Sequence, residues 1–99
     1  ISCEIIDPRT LRPFDDAPIL ASVARTNRCV IVEEGWPYAG LGAQIAYQIQ
    51  QAMFGDLDAP VTRVTGADVP MPYAKNLEHM AMPSTARVVA AVREVLYLE

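Results

Sequence analysis

The sequence predicts an α/β fold in which parallel strands are joined by crossover helices. Three times along the 99 residues, a strand-like apolar run is followed by a loop that contains glycine or proline and then by a segment with helical spacing. This alternation is typical of βαβ units. A hydrophobic content of 52% and a charged content of 20% also favour a globular domain over a disordered segment.

The first unit is a strand at residues 3–6, a proline-containing loop at 9–14 and a helix. Asp15 or Asp16 offers the helix N-cap, with a proline in the first turn, and Asn27 ends the helix. One face of this helix is apolar; it carries Ile19, Leu20, Val23 and Ala24.

The second unit begins with a strand at residues 29–32, which is apolar at four consecutive positions. Such a run suits a central strand that is covered on both faces better than it suits an edge strand. Gly40 and Gly42 mark the start of the next helix, which is expected to extend to about Phe54.

The third unit is a strand at residues 61–64, a loop at 65–75 and a final helix that runs from a Ser84 or Thr85 cap to about Tyr97. The loop holds two prolines two residues apart, a spacing that is incompatible with a helix interior. We therefore expect an extended connection there.

Composition narrows the classes of partner. Eight basic against 12 acidic residues give a formal charge of −4, and the cations are scattered, which argues against nucleic-acid binding. The apolar runs are far shorter than the roughly 18 residues that a membrane span needs. Cys3 and Cys29 lie in strand-like runs without metal or redox spacing, so we expect a soluble domain with two buried free thiols.

Two motifs have a catalytic or ligand-binding interpretation that the sequence does not favour. The run from Gly40 to Gly42 begins like a dinucleotide fingerprint, but Ile45 stands where the third glycine should be, so we expect a helix start that packs against a neighbour. Glu33 and Glu34 are adjacent and would point to opposite faces of a strand, which predicts a solvated or interface pair.

The remaining candidates are contact residues. His79 has no visible partners for nucleophilic catalysis and is expected at a surface or interface. Two short loops combine aromatic or methionine side chains with proline, a composition typical of rigid protein contacts. Their candidate partner-binding residues are Trp36, Tyr38, Met71 and Tyr73.

Several segments closely resemble the C-terminal domain of the beta subunit of pyruvate dehydrogenase. They are IDPRTLRP at 6–13, VEEGWP at 32–37, GLGA at 40–43, DAPV at 58–61 and RVTGADVPMPYAK at 63–75. The run after Thr65 favours the pyruvate enzyme over related branched-chain 2-oxoacid dehydrogenases. The similarity covers nearly all of residues 3–97.

The resemblance implies a transketolase C-terminal-like fold: a three-layer, mainly parallel sheet with helices on both faces and one strand running opposite. That domain begins with one more strand and helix before the position of Ile1, so residues 1–97 are expected to be N-terminally truncated. Residues 98–99 match a dipeptide that cloning vectors leave before a tag, and we expect them to be vector-derived.

By the same resemblance, the parent subunit works with an alpha subunit and a second beta subunit in a heterotetramer. That enzyme uses thiamine diphosphate and Mg²⁺ to decarboxylate pyruvate and transfers the acetyl group to lipoyl groups, in the bacterial cytoplasm or the mitochondrial matrix. No residue here matches a catalytic residue, cofactor ligand or metal ligand of the family. We therefore expect the 99 residues alone to be inactive.

The resemblance assigns this domain a role in assembly. Paired beta C-terminal domains receive the subunit-binding domain of the dihydrolipoyl acyltransferase, and the position of Asp58 presents a carboxylate to basic residues of that partner. An acidic chain suits a basic partner. An alternative is that Asp58 only caps its own loop.

Two other functions stay open at this point. Gly40 and Gly42 alone support a nucleotide- or anion-binding regulatory domain, and the general pattern also allows a related 2-oxoacid dehydrogenase beta subunit. An independent enzyme domain would need either the two glutamates, Glu33 and Glu34, or His79 to act in a cleft.

Overall fold

Helices and parallel strands alternate along the chain. The computed structural model describes residues 2–8, 15–35, 38, 40–66 and 83–98. Within them the elements are α1 (Ala17–Thr26), β1 (Val30–Val32), α2 (Leu41–Met53), β2 (Thr62–Val64) and α3 (Thr85–Val95). None of these helices is long and apolar enough to cross a membrane.

The two strands form a parallel pair in which Val30 lies opposite Thr62 and Val32 lies opposite Val64. Both α2 and α3 pack on both strands but not on each other, so they cover opposite faces of the sheet. Helix α1 packs against α2. The α/β fold with parallel strands, crossover helices and three layers is confirmed.

Local signals set the helix ends. Asp16 is the N-cap position of α1, although the capping hydrogen bond comes from Asp15, whose Oδ1 accepts from the Ala17 N–H at 3.1 Å. Asn27 ends α1 in the left-handed conformation with φ 64°, and its N–H donates to the Val23 carbonyl. Ser84 caps α3 by accepting from the Arg87 N–H at 3.2 Å.

The core is small and lies where the sheet meets the helices. Its buried apolar residues come from helices α1, α2 and α3, strand β2 and the loop before β2: Val23, Ile49, Ala59, Val64, Ala91 and Val95. Ile49 is the most deeply buried, at 1% exposure. The periodic positions of all three helices therefore contribute to one core.

The predicted strand at residues 3–6 is wrong, because residues 2–8 form neither helix nor strand and are exposed. An apolar groove of about 680 Å³ is lined by this segment, β1 and the three helices. A strand needs ladder hydrogen bonds to a neighbouring strand, and among the described residues only β1 and β2 form a ladder. It contacts α1 through Glu4, whose carboxylate hydrogen-bonds to Arg25; this bond lowers the pKa of Glu4.

Two burial predictions also need correction. The strand predicted at residues 29–32 is one residue shorter, and Val32 is 52% exposed, so it is not covered on both faces. Cys3 is exposed, because the segment that carries it is outside the sheet. Cys29 is partly buried, and this burial raises the pKa of its thiol.

Candidate docking surface

Asp58 lies in the loop between α2 and β2, and both polar groups of its backbone are bonded to other parts of the chain. Its N–H donates to the Asn27 carbonyl at 2.8 Å, just after α1. Its carbonyl accepts from the Tyr97 hydroxyl at 2.9 Å, just after α3. The backbone position of Asp58 is therefore fixed without help from its own side chain.

The carboxylate of Asp58 is 56% exposed and lies beside a cation of the same chain. Arg28 Nη1 is 3.7 Å from Asp58 Oδ2, which is an ion-pair distance but longer than a hydrogen bond. The Arg28 Nε atom instead donates to the Val95 carbonyl at 2.8 Å. Among the described residues, this carboxylate makes no hydrogen bond to its own loop, so its acceptor sites face outward.

The loop is also bound to the end of α1 at the residues before Asp58. Asn27 Nδ2 donates to the Asp56 carbonyl at 2.7 Å, so one residue both ends α1 and binds the loop at two points. Sequence reasoning did not find Asn27, Arg28 or Tyr97 as partners of this loop. Helix-ending asparagine was the one available signal, and it does not indicate which loop the side chain binds.

The other predicted contact residues are only partly described. Tyr38 is 82% exposed, in agreement with a surface position. Trp36, Met71, Tyr73 and His79 lie outside the described residues. Of the predicted contact residues that the structure describes, Asp58 and Tyr38 both lie at the surface.

Glu33 is not the solvated or interface residue that the sequence predicted. Its side chain is 17% exposed and forms an ion pair with Arg63, itself 19% exposed. Glu33 Oε2 also accepts from the Gly42 N–H at 2.7 Å, which satisfies a backbone donor at the start of α2. Its neighbour Glu34 is exposed. The two glutamates therefore have separate environments and form no acid–base pair.

Gly42 lies close against this carboxylate. A Cβ atom at position 42 would lie 2.6 Å from Glu33 Oε1, well inside contact distance. The predicted helix start packed against a neighbour is confirmed. Because a carboxylate already occupies the helix start where a phosphate would bind, the nucleotide interpretation loses its support. The described residues also contain no group of three His, Cys, Asp or Glu side chains that could hold a metal ion.

Comparison with known proteins identifies the family. Residues 1–88 match the family model "Transketolase, C-terminal domain". The pyruvate dehydrogenase E1 component subunit beta of Rickettsia felis is 53% identical over 97 residues, which is 98% of this chain and 30% of that protein. The mitochondrial subunit beta-1 of Oryza sativa subsp. japonica is 52% identical over 98% of this chain and 26% of its own length.

The mitochondrial subunit beta of Caenorhabditis elegans is 50% identical over 97% of this chain and 28% of its own length. The chain thus spans less than a third of the length of these relatives. The match in residues 1–88, together with the α/β architecture, confirms the resemblance found in the sequence: this chain belongs to the transketolase C-terminal domain family.

Proposed function

We propose that the chain is the assembly and partner-docking domain of a pyruvate dehydrogenase beta subunit. Identities of 50–53% to subunits of that name support the choice of the pyruvate enzyme over a related 2-oxoacid dehydrogenase. In this role the domain contacts an alpha subunit and a second beta subunit. Trp36, Tyr38, Met71 and Tyr73 are its candidate contact residues.

The observation that carries the docking role is the geometry of Asp58. Its backbone is bonded at both polar groups while its carboxylate stays 56% exposed, so a charge is presented with little freedom to lose on binding. A net charge of −4 favours encounter with a basic partner. The proposed partner is the subunit-binding domain of the dihydrolipoyl acyltransferase.

Catalysis is proposed to reside elsewhere in the enzyme. Glu33 occupies the start of α2 and would repel a diphosphate at that position. The domain would support oxidative decarboxylation of pyruvate and acetyl transfer to lipoyl groups by holding the complex together. The 99 residues alone are then inactive, and the enzyme works in the bacterial cytoplasm or mitochondrial matrix.

The test is Asp58→Asn in the full-length beta subunit, assembled with its alpha subunit and titrated with the acyltransferase subunit-binding domain. The amide keeps the size of the side chain and removes its charge. We expect binding to weaken by about 2 kcal/mol, roughly 30-fold, with a shallower salt dependence and an unchanged melting temperature.

Asp56→Asn is the matched control, since Asp56 is exposed in the same loop and bonds Asn27 only through its backbone carbonyl. It should change the affinity less than twofold. Binding of Asp58→Asn as tight as that of the unchanged protein at low salt would contradict the docking role of this residue.

A further inference from the structure

The corner that presents Asp58 is built from the ends of two helices and one loop. After α3 the chain turns back, with the Tyr97 N–H donating to the Glu94 carbonyl at 3.0 Å and the Leu98 N–H donating to the Arg93 carbonyl at 2.8 Å. Tyr97 takes a left-handed conformation with φ 57°, which is costly for a residue with a large side chain. In this conformation the Tyr97 hydroxyl donates a hydrogen bond to the Asp58 carbonyl.

We propose that Tyr97 is a positioning residue for docking, which sets the place of the Asp58 carboxylate through the Asp58 backbone. This inference rests on the proposed function. The hydroxyl of Tyr97 does not touch the carboxylate, so its effect on a partner must pass through residue 58. The end of α3 and the loop before β2 then form one docking unit.

Arg28 connects the same two parts at a second point. It donates to the Val95 carbonyl in the last turn of α3, and its guanidinium lies 3.7 Å from the Asp58 carboxylate. Because the side chains of Arg28 and Asp58 are 31% and 56% exposed, this ion pair is a weak restraint. The hydrogen bond from the Tyr97 hydroxyl to the Asp58 carbonyl, at 2.9 Å, is the shorter of the two connections to Asp58.

The experiment is a double-mutant cycle in the full-length beta subunit assembled with its alpha subunit. The acyltransferase subunit-binding domain is the probe. Binding is measured for the unchanged protein, Tyr97→Phe, Asp58→Asn and the double variant, at low and high salt. The matched control is Tyr47→Phe, since Tyr47 is 62% exposed on α2 and its hydroxyl has no hydrogen-bond partner in the described part of the chain.

We expect Tyr97→Phe to weaken binding about three- to fivefold, the effect of one lost hydrogen bond. In the Asp58→Asn background the same change should weaken binding less than twofold, because the positioned charge is already gone. Tyr97→Phe should keep the salt dependence of the unchanged protein, since no charge is removed, and Tyr47→Phe should have no effect.

The inference is overturned if Tyr97→Phe binds normally, or if it weakens binding equally with Asp and with Asn at position 58. Either result leaves the proposed function intact when Asp58→Asn alone weakens binding. If Asp58→Asn alone has no effect, both the docking role of Asp58 and the positioning role of Tyr97 are wrong.

Discussion

Replacing Glu33 by glutamine tests the contact that holds the start of α2 against the sheet. The amide oxygen of glutamine can still accept from the Gly42 N–H, so the capping bond is largely kept. The ion pair with Arg63 is lost. The change therefore separates the charge of Glu33 from its hydrogen bond to the helix.

The magnitude follows from burial. Breaking a fully buried ion pair costs about 3–5 kcal/mol, because a charge is left without its counter-ion in a poorly hydrated place. The side chains of Glu33 and Arg63 are 17% and 19% exposed, so water replaces part of the lost interaction. We expect Glu33→Gln to lower the free energy of unfolding by about 2 kcal/mol, which for a chain of this size lowers Tm by about 10 °C.

Urea denaturation followed by circular dichroism measures this difference, provided the m-value is unchanged. Glu34→Gln is the matched control, since Glu34 is adjacent and exposed, and it should stay within about 0.5 kcal/mol of the unchanged protein. Equal effects of the two substitutions would refute the reasoning, because it is Glu33, and not Glu34, that bonds to Arg63 and to the start of α2.

The other predictions concern packing and thiol chemistry. Gly42→Ala should destabilise the chain by about 1–2 kcal/mol despite the better helix propensity of alanine, because the new Cβ meets the Glu33 carboxylate. Gly55 has open space around it, so Gly55→Ala should be neutral in the same urea assay. Burial raises the pKa of the Cys29 thiol, so the unfolded chain loses the thiol proton at a lower pH than the folded chain does. The contribution of Cys29 to the free energy of unfolding should therefore be full below about pH 8.5 and fall above it. Melting curves measured over this pH range should show a smaller fall for Cys29→Ala. At pH 8 a thiol reagent should modify exposed Cys3 well before Cys29, and equal rates in the native state would contradict the burial argument.

The helices could be predicted from sequence because their signals are local. Asn27 ends α1 through its own backbone conformation, and Ser84 caps α3 through a bond to a residue three positions later. Hydrophobic spacing within each segment identified the faces that contain Val23, Ile49 and Val95. These features need no knowledge of which elements become neighbours.

The strand at residues 3–6 and the partners of Asp58 could not be predicted in the same way. A short apolar run becomes a strand only when it pairs with another strand, and residues 2–8 have no ladder partner among the described residues. The Tyr97 hydroxyl and its acceptor are 39 residues apart, and Arg28 reaches a carbonyl 67 residues away. No periodic pattern in the sequence predicts a contact between residues so far apart along the chain.

The different environments of Glu33 and Asp58 follow from how the backbone beside each carboxylate is satisfied. At Glu33 a helix start leaves the Gly42 N–H without an intrahelical acceptor, and the carboxylate supplies one while it pairs with Arg63. At Asp58 the backbone N–H and carbonyl already have partners, supplied by Asn27 and Tyr97, and within the described part of the chain the carboxylate makes only a partly exposed ion pair with Arg28. A carboxylate that the fold does not use for its own hydrogen bonds stays available to another molecule. For this reason Asp58, and not the more conspicuous pair of glutamates, is the residue that we propose for contact with a basic partner.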